Sequence, residues 1–167
     1  LAVIAVPTVL TAFFIARPPS GDPLKVTVVA RQWFWEFKYQ DMNITTANEL
    51  HVPVGRPVLL TLETGDVIHS FWVPKLAGKM DIIPLRSNRL SFTADVPGDY
   101  AGQCAEFCGL AHALMRFKVI AQPQDQFDQW AKSKQAASLP GAGATSPQTG
   151  SVLGNQSASV LEPRGGR

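Results

Sequence analysis

The chain has 167 residues, a net charge of +2, and charged side chains at 17% of its positions. That is room for one domain with a core plus appendages, and without a basic run or a Lys/Arg stripe it excludes nucleic acid as a partner. Thirteen glycines and thirteen prolines imply many turns, which favours β architecture over a helical bundle.

The first element is LAVIAVPTVLTAFFIA, residues 1–16, which carries no charge and stops at Arg17-Pro18-Pro19. A membrane-spanning helix takes about 20 apolar residues. A signal peptide would show a basic start and a small-residue cleavage site, and neither is present. Residues 1–16 are therefore expected to be the C-terminal part of a transmembrane helix, where Pro7 is tolerable. The alternative is a buried core helix.

Residues 23–122 read as strands. LKVTVVARQWFWEFKY, Leu24 to Tyr39, is rich in β-branched and aromatic residues and alternates from Lys25 onward. As one strand it would put Trp33, Trp35 and Phe37 on one face, and Gln32, Phe34, Glu36 and Lys38 on the other. LHVPVGRPVLLTLE gives two short strands around Gly55-Arg56-Pro57. VIHSFWV gives another, RLSFTADV another, and LMRFKVI the last. Short strands with Gly/Pro turns at this spacing predict an all-β fold, a Greek-key sandwich or barrel. Residues 123–135 follow as a short helix opened by Pro123, with Phe127 and Trp130 on one apolar face. Residues 136–167 are rich in Gly, Ser, Ala and Pro without an apolar period, and are expected to be a disordered tail or linker. No Cys-x-x-Cys-His haem-attachment motif occurs.

The chemistry concentrates in QCAEFCGLAHALM. Both cysteines of the chain stand there with a histidine and a methionine, as Cys-x3-Cys-x3-His-x2-Met: Cys104, Cys108, His112 and Met115. Thiolate, thioether and imidazole are the ligands that select copper. The segment lies between two strands, and loops on a rigid β scaffold are where sites are built. A second imidazole comes from His69, in DVIHSFWVP, whereas His51 has no co-ligands near it in sequence and reads as structural or surface. Two thiolates bridging two copper ions would account for the second cysteine. His69 and His112 would then be terminal ligands, Met115 a weak one, and the backbone carbonyl of Glu106 the remaining oxygen. A Cys104–Cys108 disulfide is the first alternative, but it closes a very small loop and leaves His112 and Met115 unexplained. Zinc is the second, but methionine is a poor zinc ligand.

These residues resemble the Cys-x-Glu-x-Cys-Gly-x-x-His-x-x-Met signature of cytochrome c oxidase subunit II, the haem–copper oxidase subunit that carries the CuA centre. DVIHSFWVP is similar to that family's distal histidine strand and RQWFWEFKY to its aromatic segment after the second membrane helix. KMDIIPLRSNRLSF and GDYAGQC match it as well. The likeness runs from about Leu1 to Trp130. It implies a cupredoxin-like domain on the outer, periplasmic face of a bacterial membrane, anchored by the helix before it. It implies a dinuclear copper centre on His69, Cys104, Glu106, Cys108, His112 and Met115, with the Glu106 side chain reaching magnesium at the boundary with subunit I. It makes Trp33 the point where electrons arrive from cytochrome c, or from a tethered cytochrome c domain, on their way to haem in subunit I. Asp66 would orient His69 or line the subunit boundary. The stretch between Tyr39 and Leu50 is shorter than in mitochondrial members, and acidic residues for docking a basic donor are few: Glu36, Asp41 and Glu49. Nitrous oxide reductase has a similar copper loop but also a large propeller domain. Quinol oxidase subunit II shares the fold and lacks the copper ligands.

Overall fold

Alternation of apolar and polar side chains builds two sheets whose apolar faces meet. The computed structural model describes residues 1–15 and 19–138. After a helix α1 (Ala2–Ile15) come β1 (Leu24–Arg31), β2 (Phe34–Tyr39), β3 (Ile44–Ala47), β4 (Glu49–Pro53) and β5 (Val58–Thr64). Then follow β6 (His69–Val73), β7 (Ala77–Ile82), β8 (Asn88–Phe92), β9 (Gly98–Cys104), β10 (Arg116–Gln122) and α2 (Gln124–Ser138). One sheet has the order β3-β2-β1-β5-β8 and the other β4-β10-β9-β6-β7. β1 runs parallel to β5 and β10 parallel to β4; the other neighbours are antiparallel.

The core lies between the sheets. Val26 and Val28 of β1, Trp35 and Phe37 of β2, and Leu60 and Leu62 of β5 meet Leu50, Phe71, Phe117 and Val119 from the other sheet. Each such side chain, fully buried, contributes about 1.5–3 kcal/mol relative to exposure. α2 closes one side. Phe127 is buried, and Trp130 packs on Tyr39 at 5.3 Å and stacks on His51 at 4.2 Å. His51 Nδ1 also lies 2.9 Å from Gln122 Oε1, so this imidazole is built into the packing of α2, the structural one of the two readings its sequence left open.

The run from Leu24 to Tyr39 is not one strand. It folds back at Gln32 and Trp33, so that Val26 pairs with Tyr39 and Arg31 with Phe34. A strand through the whole run would stretch roughly 50 Å at about 3.3 Å per residue. Folding back lets both halves bury their apolar face. As a result Trp33 does not share the core face with Trp35 and Phe37: those two are 0% exposed, whereas Trp33 sits in the turn, joined to Gln32 by a cis peptide bond, and is 37% exposed. β3 and β7, which the sequence pattern did not announce, are both sheet edges with little buried alternation.

α1 is apolar and exposed along its described side chains, but among the described residues no helix is long and apolar enough to cross a membrane. α2 continues through Ser138, and the rest of the expected tail, residues 139–167, lies outside the described residues. At one end of the sandwich the β1–β2 turn, the β5–β6 and β7–β8 connections and the long β9–β10 loop come together.

Near that end Phe117 of β10 faces Gly102 of β9, and its ring occupies the place a side chain would take. A methyl group there would collide with the ring, which is itself wedged against Trp35 at 5.0 Å. Gly102→Ala is expected to destabilise the domain by about 1–3 kcal/mol, the usual cost of overpacking, measured by denaturant unfolding; an unchanged midpoint would contradict this packing.

Candidate metal centre

Cys104 closes β9, and a loop from Ala105 to Met115 carries the other donors before β10 begins. The neck of that loop is tied by the Cys104 N–H donating to the Met115 carbonyl at 3.0 Å and the Ala105 N–H donating to the Ser70 carbonyl at 2.9 Å. The second tie fastens the loop to β6 beside His69. His112 opens a short 3-10 turn, His112–Leu114, which brings its imidazole and the Met115 thioether back toward Cys108.

All six sequence-predicted metal residues come together. The Cys104 and Cys108 sulfurs are 3.8 Å apart and unbonded. His69 Nδ1 lies 3.8 Å from Cys104 Sγ, and the Glu106 carbonyl oxygen 3.2 Å from it. On the other side His112 Nδ1 lies 3.6 Å from Cys108 Sγ and Met115 Sδ 3.7 Å from it. Each sulfur therefore has one imidazole and one weaker donor beside it. The donor atoms of His69, Cys104 and Cys108 all fall within 4.8 Å of one another, and these three residues and Met115 are buried. The Glu106 residue itself is exposed, so its backbone faces the cluster while its carboxylate belongs to the surface.

This donor set fits a pair of soft metal ions. Two thiolates, two imidazoles, a thioether and a carbonyl exceed the four ligands of a structural zinc site, and thioether with thiolate favours copper. The unbonded sulfurs, each with its own imidazole, also count against a purely structural role for the cysteines.

The outer partners explain why the ligands stand where they do. Asp66 Oδ1 lies 2.8 Å from His69 Nε2, which leaves Nδ1 directed at Cys104. Asp66 also accepts from the Gln32 N–H at 2.7 Å, the Val67 N–H at 2.7 Å and the Thr64 hydroxyl at 3.0 Å. Trp33 Nε1 donates to the Cys108 carbonyl at 3.1 Å, and Gln32 Nε2 donates to the same oxygen at 2.7 Å. Trp35 Nε1 donates to the Met115 carbonyl at 3.4 Å from below. Trp33 is thus a half-exposed indole bonded to a ligand residue. Gln32 escaped the sequence reading because its role depends on the turn hidden inside an apparently continuous strand.

Burial and hydrogen bonding set the protonation of the site. Burial works against the Asp66 carboxylate, but the bonds from His69, Gln32, Thr64 and Val67 outweigh it and hold its pKa below the usual range. Burial disfavours a charged His69, yet its contacts with Cys104 and Asp66 raise its pKa overall. Burial raises the Cys104 thiol too, but His69 and the backbone at Ser70 and Glu106 outweigh it, so Cys104 ionises below the ordinary thiol range. Cys108 is pushed up, first by burial and then by the charge of Cys104.

The chain and its fold are similar to known proteins. Residues 43–122 match the family described as cytochrome C oxidase subunit II, periplasmic domain. Over 97% of its length the chain is 38% identical to cytochrome c oxidase subunit 2 of Alkalihalophilus pseudofirmus, of which it spans 46%, less than half. The structure superposes on the crystal structure of the periplasmic domain of cytochrome oxidase subunit II (CoxB) of Bradyrhizobium japonicum with a TM-score of 0.68 at 29% identity, covering 71% of this chain and 97% of that one. It also matches a mixed disulfide intermediate between a thioredoxin-like protein and subunit II of cytochrome c oxidase, with a TM-score of 0.65 at 28% identity, covering 73% of this chain and 96% of the other.

Two outcomes test the site. Asp66→Ala removes the partner of His69 Nε2 and should weaken metal binding about 10- to 100-fold, read by competition with a copper chelator; unchanged affinity would show that packing alone orients His69. Metal binding must also displace the proton that Cys108 retains. Loading should therefore release protons, and the apparent affinity should fall about tenfold per pH unit for each proton displaced as the solution is acidified. A pH-independent affinity would contradict a thiolate site.

Proposed function

This chain belongs to the cytochrome c oxidase subunit II family, and we propose that its two-sheet domain is the electron-accepting unit of such an oxidase. The observation that carries this reading is the convergence of His69, Cys104, the Glu106 carbonyl, Cys108, His112 and Met115 on one buried spot, with the exposed Trp33 bonded to it. These residues would hold the dinuclear copper centre CuA. A copper pair held by them would supply one-electron redox chemistry with the charge shared between two metals.

The chain's own residues then divide the work. Trp33 receives the electron at the surface and passes it through its indole N–H to the Cys108 carbonyl. The buried cysteines, His69 and Met115, with the half-buried His112, hold fixed positions, so little rearrangement accompanies the transfer. Electrons leave for haem in subunit I, where oxygen is reduced. The exposed Glu106 carboxylate would be free to hold magnesium at that boundary. The domain stands on the periplasmic face of a bacterial membrane with α1 as part of its anchor, in keeping with the exposed apolar side chains of that helix. The neighbour joined to a thioredoxin-like protein supports a stage before metal arrives at which a Cys104–Cys108 disulfide is reduced by two thiols of such a partner, through a mixed disulfide, leaving two thiols here and a disulfide on the partner.

The donor is cytochrome c or a tethered cytochrome c domain, and its docking is apolar rather than charge-steered. Phe34, Phe107, Leu110 and Leu114 are exposed in the same connections as Trp33 or beside them. Of the few acidic candidates, Glu36 has Lys38 at 3.2 Å and Arg31 at 3.8 Å, which cancel its charge.

With copper bound and oxidised, the chain should give an electron paramagnetic resonance spectrum split equally by two copper nuclei. Cys108→Ser should abolish it, since a hydroxyl does not bridge as a thiolate does; a single-copper pattern in the parent would overturn the reading. Trp33→Phe should slow reduction by cytochrome c and leave the two-copper splitting in place, because the shorter bond from Gln32 still holds the Cys108 carbonyl. The rate of reduction should depend only weakly on ionic strength, and a steep fall with added salt would restore charge steering.

A further inference from the structure

Hydrogen bonds leave Gln32 in two directions. Its backbone N–H donates to Asp66 Oδ2 at 2.7 Å, and its side-chain Nε2–H donates to the Cys108 carbonyl at 2.7 Å. Asp66 in turn holds His69 Nε2 at 2.8 Å. One residue of the β1–β2 turn therefore reaches a donor on β6 and a donor in the β9–β10 loop. It reaches His69 through Asp66 and Cys108 through its carbonyl. Cys108 needs such a tie. It sits at mid-loop, away from the neck bonds at Cys104 and Ala105, between two residues that face solvent, Phe107 and Leu110. The approach is made possible by Gly109. Its φ is +114°, and a Cβ there would stand 3.1 Å from Gln32 Nε2 and 3.2 Å from the Trp33 ring, tighter than most real contacts.

We propose that Gln32 is a positioning residue of the copper pair, fixing Cys108 and, through Asp66, His69 in one common frame. This rests on the reading of the site as dinuclear copper and says how that site is kept symmetric. Equal sharing of an electron requires the strong donors of the two metals, one imidazole each and the paired thiolates, to be balanced, while the weak donors, the Glu106 carbonyl and the Met115 thioether, differ. If one thiolate shifts relative to the opposite imidazole, the balance is lost even though every ligand remains. An amide suits this position because it donates to a carbonyl without adding charge beside the thiolates, which a lysine would do. It is also a donor where an ionised glutamate is not.

The test uses the 167-residue chain with Gln32→Leu and the near-isosteric Gln32→Glu. Both lose the amide donor, and both keep the backbone N–H to Asp66. Copper affinity is expected to fall about 10- to 100-fold in each, and the two copper splittings should become unequal. In the reduced, metal-free protein, alkylation of Cys108 by iodoacetamide, followed by peptide mass spectrometry, should run faster than in the parent. The thermal midpoint of the metal-free variants should stay close to the parent's. Equal splitting with unchanged alkylation in both variants would overturn the proposal. A lowered thermal midpoint with spectrum and alkylation unchanged would also overturn it and leave Gln32 a packing residue. A parent chain without a two-copper spectrum would instead overturn the copper reading. The alkylation rates need no metal and would still decide whether Gln32 holds Cys108.

Discussion

The Asp66 carboxylate is the junction on which the site depends. It gathers Gln32 from the β1–β2 turn, Thr64 from the end of β5, Val67 from the connection and His69 from the start of β6. Without a charged acceptor at that point, the backbone N–H groups of Gln32 and Val67 would lose their partners. His69 would be a buried imidazole with nothing to choose which nitrogen faces the sulfur. A partly exposed carboxylate that accepts several bonds is a strong local anchor, because bonds to a charged acceptor exceed neutral ones. Its lowered pKa has the same origin.

From that junction the division of labour between the sheets follows. The interior is apolar and aromatic: Trp35, Phe71 and Phe117 pack on one another with centroids 4.8–5.7 Å apart. Trp35 also presents its edge to His69 at 6.3 Å, so the aromatic core forms the floor of the metal site. A close-packed floor resists displacement. The loop above it can then be fixed by a few hydrogen bonds at its neck and middle, and does not need a rigid conformation of its own. Thiols that face each other without a metal are costly to ionise together. The opposite displacements of the Cys104 and Cys108 pKa values express that cost. Metal binding removes it.

The proposed ligand set could be read from the sequence because its chemistry is local. Cys104, Cys108, His112 and Met115 lie within one loop, and their spacing alone brings them together. His69 was recognisable from its strand, although only the packing of β6 beside β9 shows how it meets Cys104. The two-sheet architecture was legible too, from alternation in β1, β2, β5 and β10. What the pattern hid has one cause. Period-two alternation continues through Arg31, Gln32 and Trp33 as if the strand went on, and nothing of the usual Gly, Asn or Pro chemistry marks the turn. The edge strands β3 and β7 were hidden for the opposite reason: their side chains are mostly in solvent, so they carry no alternation to read.

The two tryptophans of the QWFW run show what that hidden turn does to the site. A continuous strand would have placed both on the core side, where neither could meet a partner. Turning at Gln32 and Trp33 leaves Trp35 as the floor and lifts Trp33 to the rim. There its ring lies against Gly109 and its N–H reaches the Cys108 carbonyl. The indole spans the distance between solvent and ligand with one hydrogen bond, and the neighbouring Gln32 amide fixes the same carbonyl from its other side. A rim tryptophan held only by packing could change rotamer whenever a partner docked. On the proposed reading of Trp33 as the entry point, its bond to the Cys108 carbonyl would hold the ring in one orientation, so a docking donor need not disturb the residues beneath it.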